Sequence, residues 1–170
     1  MGEIDEASEA FAQRLSWSEA PLTGAAMVQA LSKGQADDEL VNPHFEPAVS
    51  SDLKARSGRS SVAIVIVNRA EPAILLTKRS AKIRFGGQFC FPGGREAPED
   101  AGLQQTALRE TFEEINVLPS ALTFVGCLGR YFTHAGYLIE PHVFTADADL
   151  SFRADPAEVA EIVMVPVIEL

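Results

Sequence analysis

Glu110, Glu113 and Glu114 stand three and four residues apart in the segment Arg109-Glu110-Thr111-Phe112-Glu113-Glu114. On a helix that spacing puts all three carboxylates on one face. Like charges so placed destabilise a helix by about 0.2–0.5 kcal/mol per pair. Arg109 can pair with Glu113 at i+4, but one guanidinium cannot neutralise three carboxylates. A hard divalent cation can, and Mg²⁺ is usually held by one or two carboxylates together with substrate phosphates. A solvated acidic face is the plainer explanation of a bare RExxEE string. The context favours chemistry: Phe91-Pro92-Gly93-Gly94 reads as a strand ending in a glycine turn shortly before the acidic helix. Glycines let the backbone approach a metal or phosphate closely, and this turn brings a carbonyl near the carboxylates.

The elements that must hold these groups follow from periodicity. Val62–Val67 is a continuous β-branched run of the kind buried on both faces of a sheet. Asn68–Pro72 reads as a turn, and Ile74–Thr77, Phe89–Phe91, Thr123–Leu128, Ile139–Thr145 and Ile162–Val165 as strands. Residues 103–115 read as a helix whose stripe of Leu103, Ala107, Leu108, Phe112 and Ile115 packs on the sheet, opposite the carboxylates. Asp155-Pro156-Ala157-Glu158 resembles a capping box with Pro at the first helical position, so one helical turn is expected there. The order implies an α/β sandwich with a mixed sheet. Upstream, residues 5–16 and 23–33 read as short amphipathic helices and 34–61 as a connecting segment. The expected division is therefore an N-terminal arm over 1–61 and a catalytic domain over 62–170.

Composition narrows the partners. The 170 residues carry 24 acidic and 14 basic side chains, a net charge of −10. Such a chain is a poor candidate for nucleic acid, which needs clustered Lys and Arg. It suits a small phosphorylated ligand bound through metal ions and a few local cations. Cys90 and Cys127 form no CxxC pair and suggest neither a zinc site nor a disulfide scaffold. No apolar run approaches the roughly 18 residues of a membrane span, and the acidic N-terminus lacks a secretory h-region. A cytoplasmic setting, without membrane partners, is the default expectation.

The segment from Gly94 to Val117 resembles the Nudix box, G-x5-E-x7-R-E-U-x-E-E-x-G-U with U aliphatic. Gly94, Arg109, Glu110, Glu113, Glu114 and Val117 match it. Asp100 stands at the first glutamate position, the loop before Arg109 is one residue longer, and Asn116 replaces the glycine after the Glu-Glu pair. Asn tolerates the left-handed conformation that ends a helix. The flanks are similar to the coenzyme A pyrophosphatase branch: Leu75-Leu76-Thr77-Lys78-Arg79-Ser80, Ile83-Arg84-Phe85-Gly86-Gly87-Gln88, Phe91-Pro92-Gly93-Gly94, Thr106-Ala107-Leu108-Arg109-Glu110, and Pro156 to Glu161. The histidine of that branch's LRxHxGQ segment is absent, and the spacing there is one residue short. Members of the family commonly continue into another helix beyond the position of Pro166.

The resemblance implies a Nudix-type α/β/α sandwich and hydrolysis of a phosphoanhydride bond in a nucleoside diphosphate derivative. It implies Mg²⁺ or Mn²⁺ held by Glu110, Glu113, Glu114 and the Gly93 carbonyl. Glu110 would be a ligand or the base orienting water, and Arg109 would hold the carboxylates. Gly94 would line the substrate site, and Glu158 or Glu161 would supply a further ligand. Coenzyme A or an acyl derivative is the leading substrate, yielding phosphopantetheine and adenosine 3',5'-bisphosphate. The alternatives are ADP-ribose, an NTP, or a silent domain that only binds a nucleotide.

Other residues read both ways. Lys78, Arg79, Lys82 and Arg84 form the densest basic cluster, and Arg79 and Arg84 are candidates for the 3'-phosphate of coenzyme A; a solvated loop is the alternative. His134 and His142 are candidate bases, though such histidines are more often structural. Phe85 and Tyr131 are candidates to stack on an adenine, and Cys90 reads as a small core residue.

Overall fold

The computed structural model describes residues 58–133 and 136–167. The helices expected at 5–16 and 23–33, the connecting segment up to residue 57, and His134 lie outside those residues.

Strand β1 (Gly58–Asn68) is the spine. It runs parallel to β7 (Tyr137–Asp147) over its whole length, from Gly58 opposite Tyr137 to Asn68 opposite Asp147. On its other side it meets β2 (Ala73–Arg79) and the short β4 (Gly93–Arg95), both antiparallel. The path is β3-β2-β1-β7-β5, with β3 (Phe89–Cys90) and β5 (Thr123–Cys127) at its ends. Strands β6 (Tyr131–Phe132) and β8 (Val159–Pro166) pair with β7 and β2. One parallel pair among antiparallel ones makes the sheet mixed. One α-helix, α1 (Leu103–Ile115), and a short 3-10 turn at Pro119–Ala121 are present among the described residues, and no helix is long and apolar enough to cross a membrane.

The Val62–Val67 run is explained by burial on both faces. Ala63, Val65 and Val67 pack with Leu75, Phe144, Ala146 and the α1 residues Ala107 and Ile115. Ile64 and Ile66 point the other way, to Val143, Ile74, Phe91 and Val125.

Several elements depart from the sequence expectation. β1 begins four residues before Val62, because Gly58–Ser61 lack apolar side chains yet pair with β7 and β4. Gly93 and Gly94 are not a turn but part of β4, held by backbone ladder bonds that no side-chain pattern advertises. β6 is absent from the sequence reading because two residues carry no periodicity. Around Asp155, by contrast, the one expected turn forms: the amides of Glu158 and Val159 donate to the Asp155 carbonyl, and Ala157 donates to its side chain.

Candidate active site

Helix α1 does not present a purely apolar face to the sheet. Its buried positions are Leu103, Thr106, Ala107, Thr111, Glu114 and Ile115. Phe112, expected in the stripe, is 42% exposed. The row from Ala107 through Thr111 to Glu114 therefore carries a carboxylate inward, and the glutamates do not lie opposite the packed face. Glu114 is only 3% exposed, and its Oε2 accepts the Gly93 amide at 3.3 Å. Burial pushes its carboxyl from 4.5 up to about 8 against that hydrogen bond, with the charges of Glu110 and Glu158 adding to the rise and Arg79 opposing it. Glu110 is raised too, first by burial and then by Glu113 and Glu158, with Arg109 opposing.

Glu110 occupies the space over Gly94. A Cβ built on Gly94 would lie 2.3 Å from Glu110 Oε1 and 2.4 Å from its Cδ. At Gly93 a Cβ would lie 2.3 Å from the Ser61 carbonyl oxygen and 2.7 Å from Val62 Cα. Both glycines are thus dictated by close approach, one to the helix carboxylate and one to β1.

Arg109 organises the helix end of the site. Its Nε and Nη2 donate in a two-pronged pair to Asp100 at 3.0 Å each. Nη1 reaches Glu110 and Glu113, each at 2.9 Å, and Nη2 also reaches the Arg95 carbonyl at 2.9 Å. Asp100 is 2% exposed at its side chain and also accepts from the Ala97 amide and the Thr106 hydroxyl. The Arg109 hydrogen bond holds its carboxyl well below the usual carboxylate range. Asp100, named in sequence only as a substitution, is the buried anchor of Arg109. Its distance of six residues from Gly94 was the available signal.

The last third of the chain is tied to this cluster by the helix's own unsatisfied carbonyls. Arg153 donates its amide to the Ile115 carbonyl and Asp155 to that of Glu114, both at 2.8 Å. The turn that follows delivers Glu158, whose carbonyl accepts the Ser80 amide at 2.7 Å at the end of β2. Glu158 consequently acts electrostatically on both Glu110 and Glu114, and Arg79 on Glu114. Glu161 goes elsewhere: it sits opposite Lys78 in the β2–β8 register and pairs with it at 3.7 Å. Arg79 donates from Nε to the Arg84 carbonyl at 3.1 Å, and the Arg84 guanidinium stacks over the exposed Phe85 ring at 4.6 Å. Glu113 is 53% exposed at its side chain. His142 is buried against Ser61 and so is no solvent-facing base.

The half-buried carboxylate of Glu110 and the buried one of Glu114, both raised in pKa by burial and by neighbouring carboxylates, together with the exposed Glu158, are a donor set short of positive charge. An oxygen-loving divalent ion fits it.

Residues 58–170 match the family model described as NUDIX domain. A protein of Photorhabdus laumondii, described as an uncharacterized Nudix hydrolase NudL, is 37% identical over 124 residues, 72% of this chain and 66% of its own length. A Yersinia enterocolitica protein of the same description is 38% identical over 118 residues, 69% of this chain and 60% of that protein. The chain thus spans less than two thirds of these relatives. Among solved structures, a C. elegans Ap4A hydrolase binary complex superposes with a TM-score of 0.56 at 18% identity, over 63% of this chain and 79% of the other. The NUDIX domain of Shewanella oneidensis NrtR, complexed with ADP ribose, gives 0.52 at 21% identity, over 74% and 80%. At these identities the likeness is one of fold, an α/β sandwich.

Proposed function

Because the chain belongs to the Nudix family, we propose that it hydrolyses a phosphoanhydride bond in a nucleoside diphosphate derivative, with Mg²⁺ or Mn²⁺ held by Glu110, Glu113, Glu114, Glu158 and the Gly93 carbonyl. The observation that carries this reading is Glu114: a carboxylate 3% exposed, on the packed row of its helix, whose hydrogen bond from Gly93 does not offset its burial. Left without a cation it is a cost to the fold. When bound, the ion supplies charge neutralisation at the phosphate oxygens and a lowered pKa for the attacking water.

The chain's own groups do the rest. Glu110, fixed between Gly94 and Arg109, would accept the proton of the attacking water with the oxygen not bound to the ion. Arg109 is a positioning residue, since its donors are engaged with Asp100, Glu110, Glu113 and Arg95. Gly94 leaves the carboxylate room beside the scissile phosphates. Arg79, whose charge acts on Glu114, would meet the phosphates in this reading, and Arg84 sits on the β2–β3 loop with Phe85.

Coenzyme A or acyl-coenzyme A is the substrate this reading favours, on the strength of the flanking segments around Arg79 and Arg84. The test is product identification after incubation with coenzyme A, ADP-ribose, dinucleoside polyphosphates and NTPs, each with Mg²⁺ and with Mn²⁺. Release of phosphopantetheine and adenosine 3',5'-bisphosphate as the fastest reaction supports it. Preference for ADP-ribose or an NTP replaces the substrate and keeps the chemistry. Tight binding without turnover of any of them points to a silent nucleotide-binding domain.

A further inference from the structure

On the same face of the sheet, β7 and β5 bring together three side chains that the hydrolytic site does not use. Cys127 sits opposite His142 in the β5–β7 register, and Glu140 is two residues before His142 on β7. One ligand atom from each, including the Cys127 sulfur, lies within 4.8 Å of the others. We propose that Cys127, Glu140 and His142 form a second metal site, selective for a borderline-soft ion of the Zn²⁺ class.

The contacts around His142 Nδ1 leave Nε2 facing Glu140. The Ser61 hydroxyl donates to the Glu140 carbonyl at 3.0 Å. A hydroxyl has one hydrogen, so towards the imidazole Ser61 Oγ can only accept. His142 Nδ1 lies 2.9 Å from that oxygen and 3.3 Å from the same carbonyl, and in the tautomer with the proton on Nδ1 it donates to them. The neutral ring then has a bare lone pair on Nε2, and it faces Glu140 Oε1 at 3.4 Å. The imidazole is 3% exposed. In that tautomer Nε2 and Oε1 are two acceptors face to face, and a cation between them satisfies both.

The spacing suits one. Two donors each about 2.05 Å from a shared ion, at a tetrahedral angle, stand about 3.3 Å apart, close to the 3.4 Å found here. Cys127 supplies a third ligand, leaving a fourth position open. Arg130 donates to the other carboxylate oxygen, Glu140 Oε2, at 2.7 Å, which leaves Oε1 for the ion and orients it. Thiolate and imidazole prefer zinc-like ions, whereas an all-oxygen cluster such as Glu110, Glu114 and Glu158 prefers Mg²⁺ or Mn²⁺. Softness of the ligands separates the two sites.

Co²⁺ reports on this directly, because a cobalt–thiolate bond has a near-ultraviolet charge-transfer band that carboxylate ligation lacks. The full chain, reduced and stripped of metal, is titrated with Co²⁺. The expected result is a band saturating at one equivalent, displaced by Zn²⁺, absent in Cys127→Ser, weakened at least tenfold in affinity in His142→Gln, and kept in Cys90→Ser. Glu114→Gln should keep the band as well, so failure of the hydrolytic reading leaves this one standing. Wild-type chain that shows no band at saturating Co²⁺, or a band that survives Cys127→Ser, overturns the proposal.

Discussion

At the scale of single residues, Glu114 and Asp100 are opposites. Asp100 is buried but met by Arg109, Thr106 and an amide, so its charged form is held. Glu114 is buried and underserved, so its neutral form is held. Their contributions to stability therefore run in opposite directions with pH. For Glu114 the folded pKa is above the unfolded one, so metal-free stability falls as pH rises from about 4.5 to about 8. For Asp100 the folded pKa is depressed, so its contribution is present above the ordinary carboxylate range and lost as pH falls through and below it. Glu114→Gln should raise the metal-free melting temperature by at least about 3 °C at pH 8.5 and change it little at pH 5, where the native carboxyl is already neutral. Equal shifts at both pH values would mean that the carboxyl's charge is not what strains the fold. Asp100→Asn should cost about 3 kcal/mol in denaturant unfolding, the low end for breaking a buried pair, because Arg109 keeps Glu110 and Glu113. A loss below about 1 kcal/mol would show that the pair is not an anchor.

At the scale of elements, the site is a junction of three pieces: β4 beneath the carboxylates, α1 carrying them, and the 153–158 segment fastened to the end of α1. Gly94 is where β4 and α1 touch. Gly94→Ala forces a methyl group into the Glu110 carboxylate, which is the flexible end of a side chain, so the fold should survive while the ligand moves. A misplacement of about 1 Å is able to cost about 10²-fold in rate. Turnover of Gly94→Ala at saturating metal should fall by that order with a melting temperature near that of wild type; unchanged turnover would detach Glu110 from the chemistry. Much of this junction was legible in the sequence. The spacing of Glu110, Glu113 and Glu114 places them on one helix, and Asn116 ends it with φ 57°, as its tolerance of the left-handed region implies. What was not legible depends on long-range backbone bonds. No local pattern shows that Gly93 and Gly94 are a strand, that Glu114 faces inward, or that the Ile115 and Glu114 carbonyls capture Arg153 and Asp155 and so bring the charge of Glu158 to bear on Glu110 and Glu114.

At the scale of the whole molecule, a net charge of −10 leaves the few cations near the site to meet an anionic substrate. Arg84, stacked on Phe85, is the outlying one. If it grips the 3'-phosphate of coenzyme A, the contact is worth roughly 1.5–3 kcal/mol, and Arg84→Ala should lower kcat/KM by a factor of about 10 to 150. Dephospho-coenzyme A, which lacks that phosphate, should lose almost nothing at the same fixed salt. Equal losses on both substrates would assign Arg84 another role. The central claim is that the inward carboxylate holds the ion that drives hydrolysis, and one comparison reaches it directly: turnover of the best substrate by wild type and by Glu114→Gln, at saturating Mg²⁺ or Mn²⁺ and again with a chelator. Wild-type turnover should vanish with the chelator, and Glu114→Gln should retain about 1% or less, the loss expected when several kcal/mol of charge stabilisation are removed. Turnover by Glu114→Gln near that of wild type, or wild-type turnover indifferent to the chelator, would contradict it.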